Sequence, residues 1–318
     1  MAEQSIFTGL EENQTRQLWE RQPVCIGHQL HHSHLFTRDA LAALIDGYPR
    51  KDYALIHMGA QDGGRRYWRE GDLNGLSGKE VIEAISQGRL WLNLRRTSEV
   101  DSRYRALLKS VFDELHERMP NFVSYGERCG ILISSPNAHV YYHADLPGQM
   151  LFQIAGRKRA YLYPPQKPFL SPEDLEQIAI SGLELDMSYA DWYDDYARIY
   201  ELEPGQMMFW PLNAPHRIEN HDCLNISMTV EFFSDVIRRT NVVNLANGVL
   251  RRRFGLRPRS RAIAGPVFWA KAVVWAASRK TSWLAKQKAP HRQIEFGLDR
   301  TALGTVRHIA SPGLHTDG

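Results

Sequence analysis

Two histidines and an aspartate have the residue types and the order expected of a metal site. His143 and Asp145 stand two positions apart in a β-rich stretch, and on a strand such residues point to one face. His216, 73 residues further along, opens another predicted strand. Two imidazoles and one carboxylate occupy one face of an octahedral metal and leave positions open, which suits non-haem Fe(II) binding a co-substrate and O2. The sequence therefore predicts His143, Asp145 and His216 as metal ligands.

The tripeptide His-x-Asp is not specific by itself. It recurs at residues 315–317, where no third ligand follows. The alternative for His143 and His216 is that both are ordinary strand histidines. The choice between the two interpretations depends on the elements around them.

Residues 131–233 contain those elements. Short runs rich in Val, Ile, Phe and Tyr alternate with Gly, Pro and Asn, which predicts successive strands of an antiparallel barrel or sandwich. One insertion, 171–203, interrupts the strands with a short helix capped by Ser171 and then an acidic, aromatic segment. The pattern predicts a β-rich domain with one large insertion.

The regions on either side differ from this block. Residues 1–120 mix helix and strand patterns, with helices predicted after Thr37 and after Ser77. Residues 237–318 return to basic helices, and we expect a loosely ordered end beyond residue 290. The predicted organisation is a mixed α/β lead-in at 1–120, a core at 121–236 with a lid at 171–203, and a basic helical region at 237–318.

The β-rich block resembles the JmjC and cupin-like Fe(II)- and 2-oxoglutarate-dependent oxygenases, especially the group that contains the hypoxia-pathway asparaginyl hydroxylase. The shared elements are H-x-D, a glutamine followed by G-x-K-R before a strand ending in Pro-Pro, a P-G turn, and a Trp- and Pro-containing loop before the second histidine. The resemblance covers about residues 130–233, a third of the chain. It implies a mainly β fold with helices: a double-stranded β-helix (cupin or jelly-roll) core with flanking N- and C-terminal helices. It also implies that His143, Asp145 and His216 bind the iron.

The resemblance further implies that Lys158, 15 residues after His143, binds the distal carboxylate of 2-oxoglutarate. A lysine ammonium in a partly desolvated pocket makes charge-assisted hydrogen bonds to a carboxylate. The alternative is a solvated hairpin, because Arg157 and Arg159 flank this lysine. Strand alternation, however, places Lys158 on the face opposite both arginines. Gln149, where relatives often have Asn, is expected to donate an amide hydrogen bond to the co-substrate.

Two further positions depart from the pattern of the resembling family. Val140 stands where relatives often carry a Thr, and it cannot donate the hydrogen bond that a hydroxyl would. Glu231 replaces an Asn on the last core strand. We interpret Glu231 either as a group that holds a basic substrate or as an outward-pointing side chain.

Composition limits the cellular context. The chain has 318 residues and is 43% hydrophobic, enough for a large core. Three scattered cysteines without a C-x-x-C spacing favour a reducing, cytosolic environment, with peripheral membrane attachment as a further option. The N-terminus lacks the pattern of a secretory signal, and we expect no transmembrane segment.

The predicted lid is rich in acidic and aromatic side chains. Such a segment is able to receive a cationic acceptor, for example an Arg or Lys side chain, by ion pairing and cation–π contact. The alternative is a solvated loop whose aromatic rings pack on the barrel. The residues concerned are Glu184, Asp186, Tyr189, Asp191, Trp192, Tyr193, Asp194, Asp195, Tyr196, Tyr200, Glu201 and Glu203.

The C-terminal region carries the opposite charge. Residues 238–318 contain 16 Lys and Arg against 3 Asp and Glu, about +13, which leaves about −10 for the rest of the chain. Three interpretations follow: homodimer formation through the two helices, contact of the basic and Trp-containing helices with an anionic membrane surface, and, less favoured, nucleic-acid binding. The tryptophans and basic residues behind the second interpretation are Trp269, Trp275, Trp283, Lys271, Arg279, Lys280, Lys286 and Lys288.

These observations predict an oxygenase that uses Fe(II), 2-oxoglutarate and O2 to hydroxylate a protein side chain or small molecule, or to demethylate it through hydroxylation. One alternative is a cupin-fold binding protein with lost or weak turnover, attached to a membrane or a partner through its basic tail. Another is a cupin metalloenzyme such as an isomerase using Mn or Zn, but those enzymes usually have an additional His or Glu ligand.

Overall fold

The computed structural model describes residues 5–10, 19, 21–58, 68–182, 187–280 and 294–309. Several residues singled out above lie outside these ranges. They are Glu184, Asp186, Trp283, Lys286, Lys288 and the second His-x-Asp at 315–317.

The described residues form strands, α-helices and short 3-10 turns. The strands are β1 (Phe7–Thr8), β2 (Val24–His28), β3 (Tyr53–Met58), β4 (Trp68–Asp72), β5 (Leu90–Leu94), β6 (Tyr125–Ser134), β7 (His139–His143), β8 (Gly148–Ala155), β9 (Lys158–Leu162), β10 (Arg198–Leu202), β11 (Gln206–Trp210), β12 (His216–Asn220), β13 (Asn225–Phe233), β14 (Ile294–Leu298) and β15 (Val306–His308). The α-helices are α1 (Arg38–Asp46), α2 (Gly78–Gln87), α3 (Thr97–Val100), α4 (Ser102–Arg118), α5 (Pro172–Ser181), α6 (Asp235–Phe254) and α7 (Gly265–Lys280). The 3-10 turns are Leu30–His32, His34–Phe36, Arg50–Asp52 and Asp191–Tyr196.

Strands β6 to β13 form a jelly roll of two sheets. The larger sheet has the order β1-β2-β11-β8-β13-β6-β5-β3-β4-β14-β15, and the smaller has the order β10-β9-β12-β7. Consecutive strands from β6 to β9, and again from β10 to β13, alternate between the two sheets, as in a double-stranded β-helix. Leu151 and Met208 of the larger sheet share one buried cluster with Leu162 and Ile218 of the smaller sheet, which places this core between them. The predicted fold class is confirmed.

Helix-capping signals in the N-terminal region are realised as predicted. The Thr37 side chain accepts a hydrogen bond at the start of α1, and Ser77 forms a reciprocal capping box with Glu80 at the start of α2. These caps satisfy backbone N–H groups that a helix leaves unpaired at its first turn. The local sequence was sufficient here because each cap needs only residues within the same turn.

A second core lies on the outer side of the larger sheet. Tyr104 and Phe112 of α4 belong to the same buried cluster as Phe152, Val230 and other sheet residues. The apolar face of α4 covers the sheet face that points away from the jelly-roll interior. The sheet is therefore buried on both faces, which agrees with the burial of most residues of β8 and β13.

Two expectations about the surrounding segments need correction, and the lead-in has a further feature. Its strand β5 pairs with β6 and extends the larger sheet. The end beyond residue 290 is not irregular throughout, because β14 pairs in parallel with β4 and antiparallel with β15. The predicted lid is shorter than 171–203, because Arg198–Leu202 is β10, which pairs with β9 along its whole length. Each difference concerns a pairing between residues distant in sequence, which strand patterns alone do not specify.

The basic tail forms two helices, of which α6 packs against both α5 and α7. Glu176, a buried residue of α5, forms ion pairs with Arg251 and Arg261. Among the described residues, no helix is long and apolar enough to cross a membrane.

Candidate metal centre

Pairing of β7 with β12 brings the two histidines together. His143 and His216 are direct Cα partners in this ladder, although 73 residues separate them in the chain. The register between the two strands shifts by one residue immediately beyond this pair, so that Val140 faces Ile218. A bulge of this kind changes which side chains point inward. It allows both Val140 and His143 to face the barrel interior, where Val140 packs against the interior cluster.

Asp145 reaches the histidines from a turn. It lies two residues past the end of β7, so the expectation that it shares a strand face with His143 is wrong in detail. The Asn213 side chain, from the β11–β12 loop, donates to the Asp145 carbonyl oxygen at 2.7 Å. This contact fixes the turn against the loop that leads to His216.

The three side chains converge on one point. A ligand atom from each of His143, Asp145 and His216 lies within 4.8 Å of the other two. The Nε2 atom of each histidine is 3.5 Å from a different carboxylate oxygen of Asp145. Asp145 and His216 are buried, and His143 is largely so. Among the described residues this is the one such group of three potential ligands.

The histidine ring nitrogens are assigned by their backbone contacts. His143 Nδ1 lies 2.7 Å from the Tyr141 carbonyl oxygen, and His216 Nδ1 lies 2.9 Å from the Ala214 carbonyl oxygen. A carbonyl only accepts, so each Nδ1 carries the proton and each Nε2 presents a lone pair to the centre. Burial, together with the neighbouring His143, lowers the pKa of His216 to about 4, which keeps it neutral at physiological pH. Neutral imidazoles are the form that binds metals.

Asp145 stays ionised although it is buried. Burial alone would raise the pKa of its carboxyl group, but His216, His143 and a hydrogen bond from Trp210 hold the pKa below its usual range. Trp210 Nε1 donates to Asp145 Oδ2 at 3.0 Å, and its ring lies 4.5 Å from the His216 ring, centroid to centroid. The sequence analysis missed Trp210 and Asn213 as supporting residues. The available signal was their position within six residues before His216, Trp210 at the end of β11 and Asn213 in the loop that follows.

Lys158 lies deeper in the same barrel. It is 3% exposed, whereas Arg157 is exposed and Arg159 partly so, as alternation predicts. Within the described residues its ammonium has no hydrogen bond or ion pair, and burial lowers its pKa to about 7. On β9, Lys158 is four residues from Leu162, which pairs with His216, so it sits about 13 Å along the strand from the histidine level. Apolar side chains line the space between, including Leu151, Ala160, Leu202, Met208 and Ile218.

Gln149 and Glu231 stand at the metal end of the barrel. Both are cross-strand neighbours in the larger sheet, and Gln149 is also the neighbour of Trp210, whose indole faces Asp145. Side chains of directly opposed residues share a face, so all three point toward the interior. Burial and the nearby Asp145 raise the pKa of Glu231, while Arg128 lowers it. Gln149 is thus beside the predicted ligands and far from Lys158.

The acidic residues of the predicted lid divide into two groups. Asp194 is already engaged, because it accepts hydrogen bonds from the Tyr163 and Tyr189 hydroxyls and pairs with Arg217. Glu201 is engaged as well, by Arg159 and His221. The exposed acidic residues of this segment that have no such contact in the described part of the chain are Asp191, Asp195 and Glu203.

The aromatic residues of the lid pack mainly inward. Tyr193 is buried against Tyr142 and Phe169, with ring centroids 5.7 Å and 4.9 Å away. Trp192 and Tyr196 remain about half or more exposed, at 49% and 60%. The alternative of rings packed on the barrel therefore describes most of the cluster, and only its outer edge is open to a partner.

Comparison with known proteins shows which family and which relatives the chain is similar to. Residues 81–237 match the family described as Cupin-like domain. The protein called tRNA wybutosine-synthesizing protein 5 from Danio rerio is 32% identical over 131 residues, which are 37% of this chain and 38% of that protein. HSPB1-associated protein 1 from Rattus norvegicus is 30% identical over 125 residues, 36% of this chain and 26% of that protein. The match thus spans well under half the length of these relatives.

Two solved structures are similar over most of the chain. An X-ray structure of E. coli ycfD covers 91% of this chain and 71% of that chain, with a TM-score of 0.49 and 18% identity. Another, described as YcfD, a ribosomal oxygenase from Escherichia coli, in complex with cobalt and 2-oxoglutarate, covers 89% and 72%, with a TM-score of 0.45 and 16% identity. The family match confirms, for residues 81–237, the cupin-like domain that the sequence motifs predicted.

Proposed function

We propose that this chain, which carries a cupin-like domain over residues 81–237, is an Fe(II)- and 2-oxoglutarate-dependent oxygenase. The observation that carries the proposal is the convergence of His143, Asp145 and His216 at one end of the jelly roll, with Lys158 buried deeper on the same interior surface. The product is a hydroxylated side chain or small molecule, or a demethylated one, since both begin with oxidation of a C–H bond.

The donor set fits ferrous iron. Two neutral imidazole nitrogens and one carboxylate are the ligands of non-haem Fe(II) oxygenases, whereas structural zinc sites usually have four protein ligands. Fe(II), when bound, supplies the redox chemistry that couples decarboxylation of 2-oxoglutarate to oxidation of the acceptor. His143, Asp145 and His216 hold the metal, and the backbone carbonyls of Tyr141 and Ala214 keep both rings oriented.

Lys158 provides the charge that holds 2-oxoglutarate. The apolar walls between Lys158 and the histidines leave its ammonium as the cation available to a dicarboxylate in that direction. A carboxylate ion pair would also compensate the burial of this side chain. Gln149, beside the metal ligands, is placed to donate an amide hydrogen bond near the metal and not at the Lys158 end.

The acceptor is a cationic group in this proposal. Glu231 brings a second carboxyl group close to Asp145, and within the described residues it has no hydrogen bond or ion pair. Two neighbouring carboxyl groups in a desolvated site favour a positively charged partner. The exposed Asp191 and Asp195 extend the negative charge onto the lid. An Arg or Lys side chain satisfies this description.

The test is turnover of 2-oxoglutarate to succinate with added Fe(II) and O2. We expect measurable succinate formation without an acceptor, and a fall of at least about 100-fold in His143→Ala and Asp145→Ala, because each removes a metal ligand. His139→Ala is the matched control, since His139 lies on the same strand but pairs with Glu219 away from the centre. Unchanged turnover in His143→Ala would overturn the proposal.

Binding measurements separate the alternative of a cupin-fold binding protein. If Co(II) and 2-oxoglutarate bind to the wild-type chain in a manner that needs His143, while no succinate forms under any condition, the chain is a binding protein and the oxygenase proposal fails. Binding of Mn(II) or Zn(II) without any 2-oxoglutarate affinity would instead support the isomerase-type alternative.

A further inference from the structure

Helix α7 has a partly inverted distribution of polar and apolar residues. Beside the buried Phe268, Lys271 and Ser278 also face inward, at 5% and 1% exposure, and the Lys271 ammonium donates to the Ser260 carbonyl oxygen. Trp269 and Val273 face outward, at 63% and 68% exposure. A helix on a water-exposed surface normally places its lysines outside and its tryptophans inside. The outward face of α7 is therefore not adapted to water.

This outward face is continuous along the helix. Pro266, Trp269, Val273 and Ala276 are all exposed and recur every three or four residues, so they form one stripe. Val267, at 49% exposure, widens the stripe at its N-terminal end. Contiguous exposed apolar surface of this kind marks a contact site, unlike scattered single residues.

The stripe lies within a segment that has only positive charge. Residues 252–280 contain eight Lys and Arg and no Asp or Glu. The exposed cations that form no ion pair in the described part of the chain are Arg252, Arg253, Arg257, Arg259, Arg279 and Lys280. Phe254 and Leu256, next to these arginines, are themselves 49% and 54% exposed. The segment thus combines exposed aromatic and aliphatic groups with exposed cations, which lie before the helix and at its C-terminal end.

We infer that the outward face of α7, with the arginine-rich connection before it, docks on an anionic lipid surface. Amphipathic helices that lie in the membrane interface present Trp, Phe and Leu to the acyl boundary and Lys and Arg to anionic headgroups. Each basic residue near such a surface contributes attraction that screening by salt weakens. The inference concerns where the chain resides and does not depend on the proposed oxygenase activity.

The charge of this segment favours an anionic lipid surface over a second copy of the chain as the partner of this face. A symmetric contact through the same face would bring two segments of eight cations each together with no acidic residue in either. Like charges placed across an interface cost free energy and disfavour the pairing. A nucleic acid matches the charge, but its interfaces are mostly polar, and Val267, Val273 and Ala276 offer no hydrogen bonds to it.

The experiment is co-sedimentation of the full chain with vesicles. We expect binding to an equal mixture of phosphatidylcholine and phosphatidylglycerol, little binding to phosphatidylcholine alone, and release as salt is raised. Trp269→Ser combined with Val273→Ser should weaken partitioning about tenfold or more, because it removes the inserted apolar groups. Arg257→Ala combined with Arg259→Ala should weaken it about fivefold per arginine.

A matched control is Val123→Ser, since Val123 is 64% exposed but lies on the α4–β6 connection. It should bind like wild type, and thermal unfolding of each variant shows whether the fold is intact. Absence of wild-type binding to anionic vesicles overturns the inference. Binding of the Trp269→Ser and Val273→Ser double variant to these vesicles at the wild-type level also overturns it. Concentration-dependent dimers that this variant abolishes would assign the face to a second copy, and tight binding to an RNA probe without vesicle binding would assign it to nucleic acid.

Discussion

Trp210 holds the aspartate ligand through an indole ring that also lies against His216. Its indole N–H donates to Asp145 Oδ2, and Asn213 holds the backbone of the same residue. A buried carboxylate needs such donors, because each unfilled lone pair in a dry site costs free energy. Groups that orient a ligand in this way tune metal affinity without touching the metal.

We predict that the indole N–H of Trp210 strengthens metal binding. Trp210→Phe keeps an aromatic side chain, although a smaller one, and removes the N–H donor to Asp145. We expect Co(II) affinity, measured by anaerobic absorbance titration, to fall about 10–100-fold in a variant that thermal unfolding shows to be folded. Trp192→Phe, an exposed lid position, is the control and should leave the affinity unchanged. Equal affinity in Trp210→Phe and wild type would show that the hydrogen bond has no role in holding the ligand.

We predict that Lys158 lowers the stability of the fold and is required for binding of 2-oxoglutarate. Its buried ammonium has no hydrogen bond or ion pair among the described residues, so Lys158→Met should raise the free energy of unfolding by about 1–3 kcal/mol. The same change should abolish 2-oxoglutarate binding. Because burial lowers the pKa to about 7, the wild-type lysine loses its charge above that pH, and wild-type affinity should fall as pH rises through this range.

Calorimetric titration of 2-oxoglutarate at several pH values, together with urea unfolding, checks both parts. The exposed Lys51 provides the control, since Lys51→Met should change neither quantity. A Lys158→Met protein that is less stable and still binds the co-substrate would contradict the assignment.

At the scale of elements, the Asp194 carboxylate connects the lid to the smaller sheet. Asp194, in the Asp191–Tyr196 turn, joins two tyrosine hydroxyls and Arg217 of β12. The guanidinium of Arg217 also lies 3.5 Å above the Tyr161 ring. The lid base is thus an ordered part of the sheet's outer face, next to the strand that carries His216.

We predict that Asp194→Asn loosens this attachment. Loss of the charge-assisted bonds should lower the free energy of unfolding by about 1–3 kcal/mol and speed tryptic cleavage at the exposed Arg198. Although burial opposes it, Arg217 and the tyrosines hold the pKa of Asp194 below its usual range, so its contribution is present above the usual pKa of an aspartate and is lost as pH falls through the lowered one. The difference from wild type should therefore narrow in acid. Asp195→Asn, at an exposed neighbour, should behave as wild type at every pH.

At the scale of the whole molecule, opposite ends of the chain meet in one sheet. Phe296 of β14 is fully buried, and its ring packs so closely on Gly71 of β4 that a Cβ there would come within 2.1 Å. The net positive tail is likewise joined to the acidic part of the chain where Glu176 pairs with Arg251 and Arg261. The C-terminal region is therefore a structural part of the fold up to β15.

Phe296→Ala tests this integration. Removing a fully buried ring should lower the free energy of unfolding by about 3–5 kcal/mol, measured by urea or thermal unfolding. Ile309→Ala, at a position 47% exposed on the same segment, should change it by less than about 0.5 kcal/mol. A negligible effect of Phe296→Ala would mean that the terminal strands contribute nothing to the stability of the sheet.

The sequence by itself determined the features that depend on local order. Strand alternation predicted the burial of Lys158, capping residues predicted the starts of α1 and α2, and the spacing of H-x-D and the second histidine predicted the three residues that converge. The first two follow from the covalent geometry of a strand or helix turn, which neighbouring residues specify, whereas the third rested on residue types and on the resemblance of the motifs.

Only the tertiary structure decided how distant segments pair. The bulge between β7 and β12, the place of β10 in the smaller sheet and the parallel pairing of β14 with β4 all join residues far apart in sequence. The support of Asp145 by Trp210 and the outward Trp269 of a partly inverted helix have the same origin. Such contacts are fixed by the packing of the whole chain, because strand register and helix orientation depend on which surfaces remain to be buried.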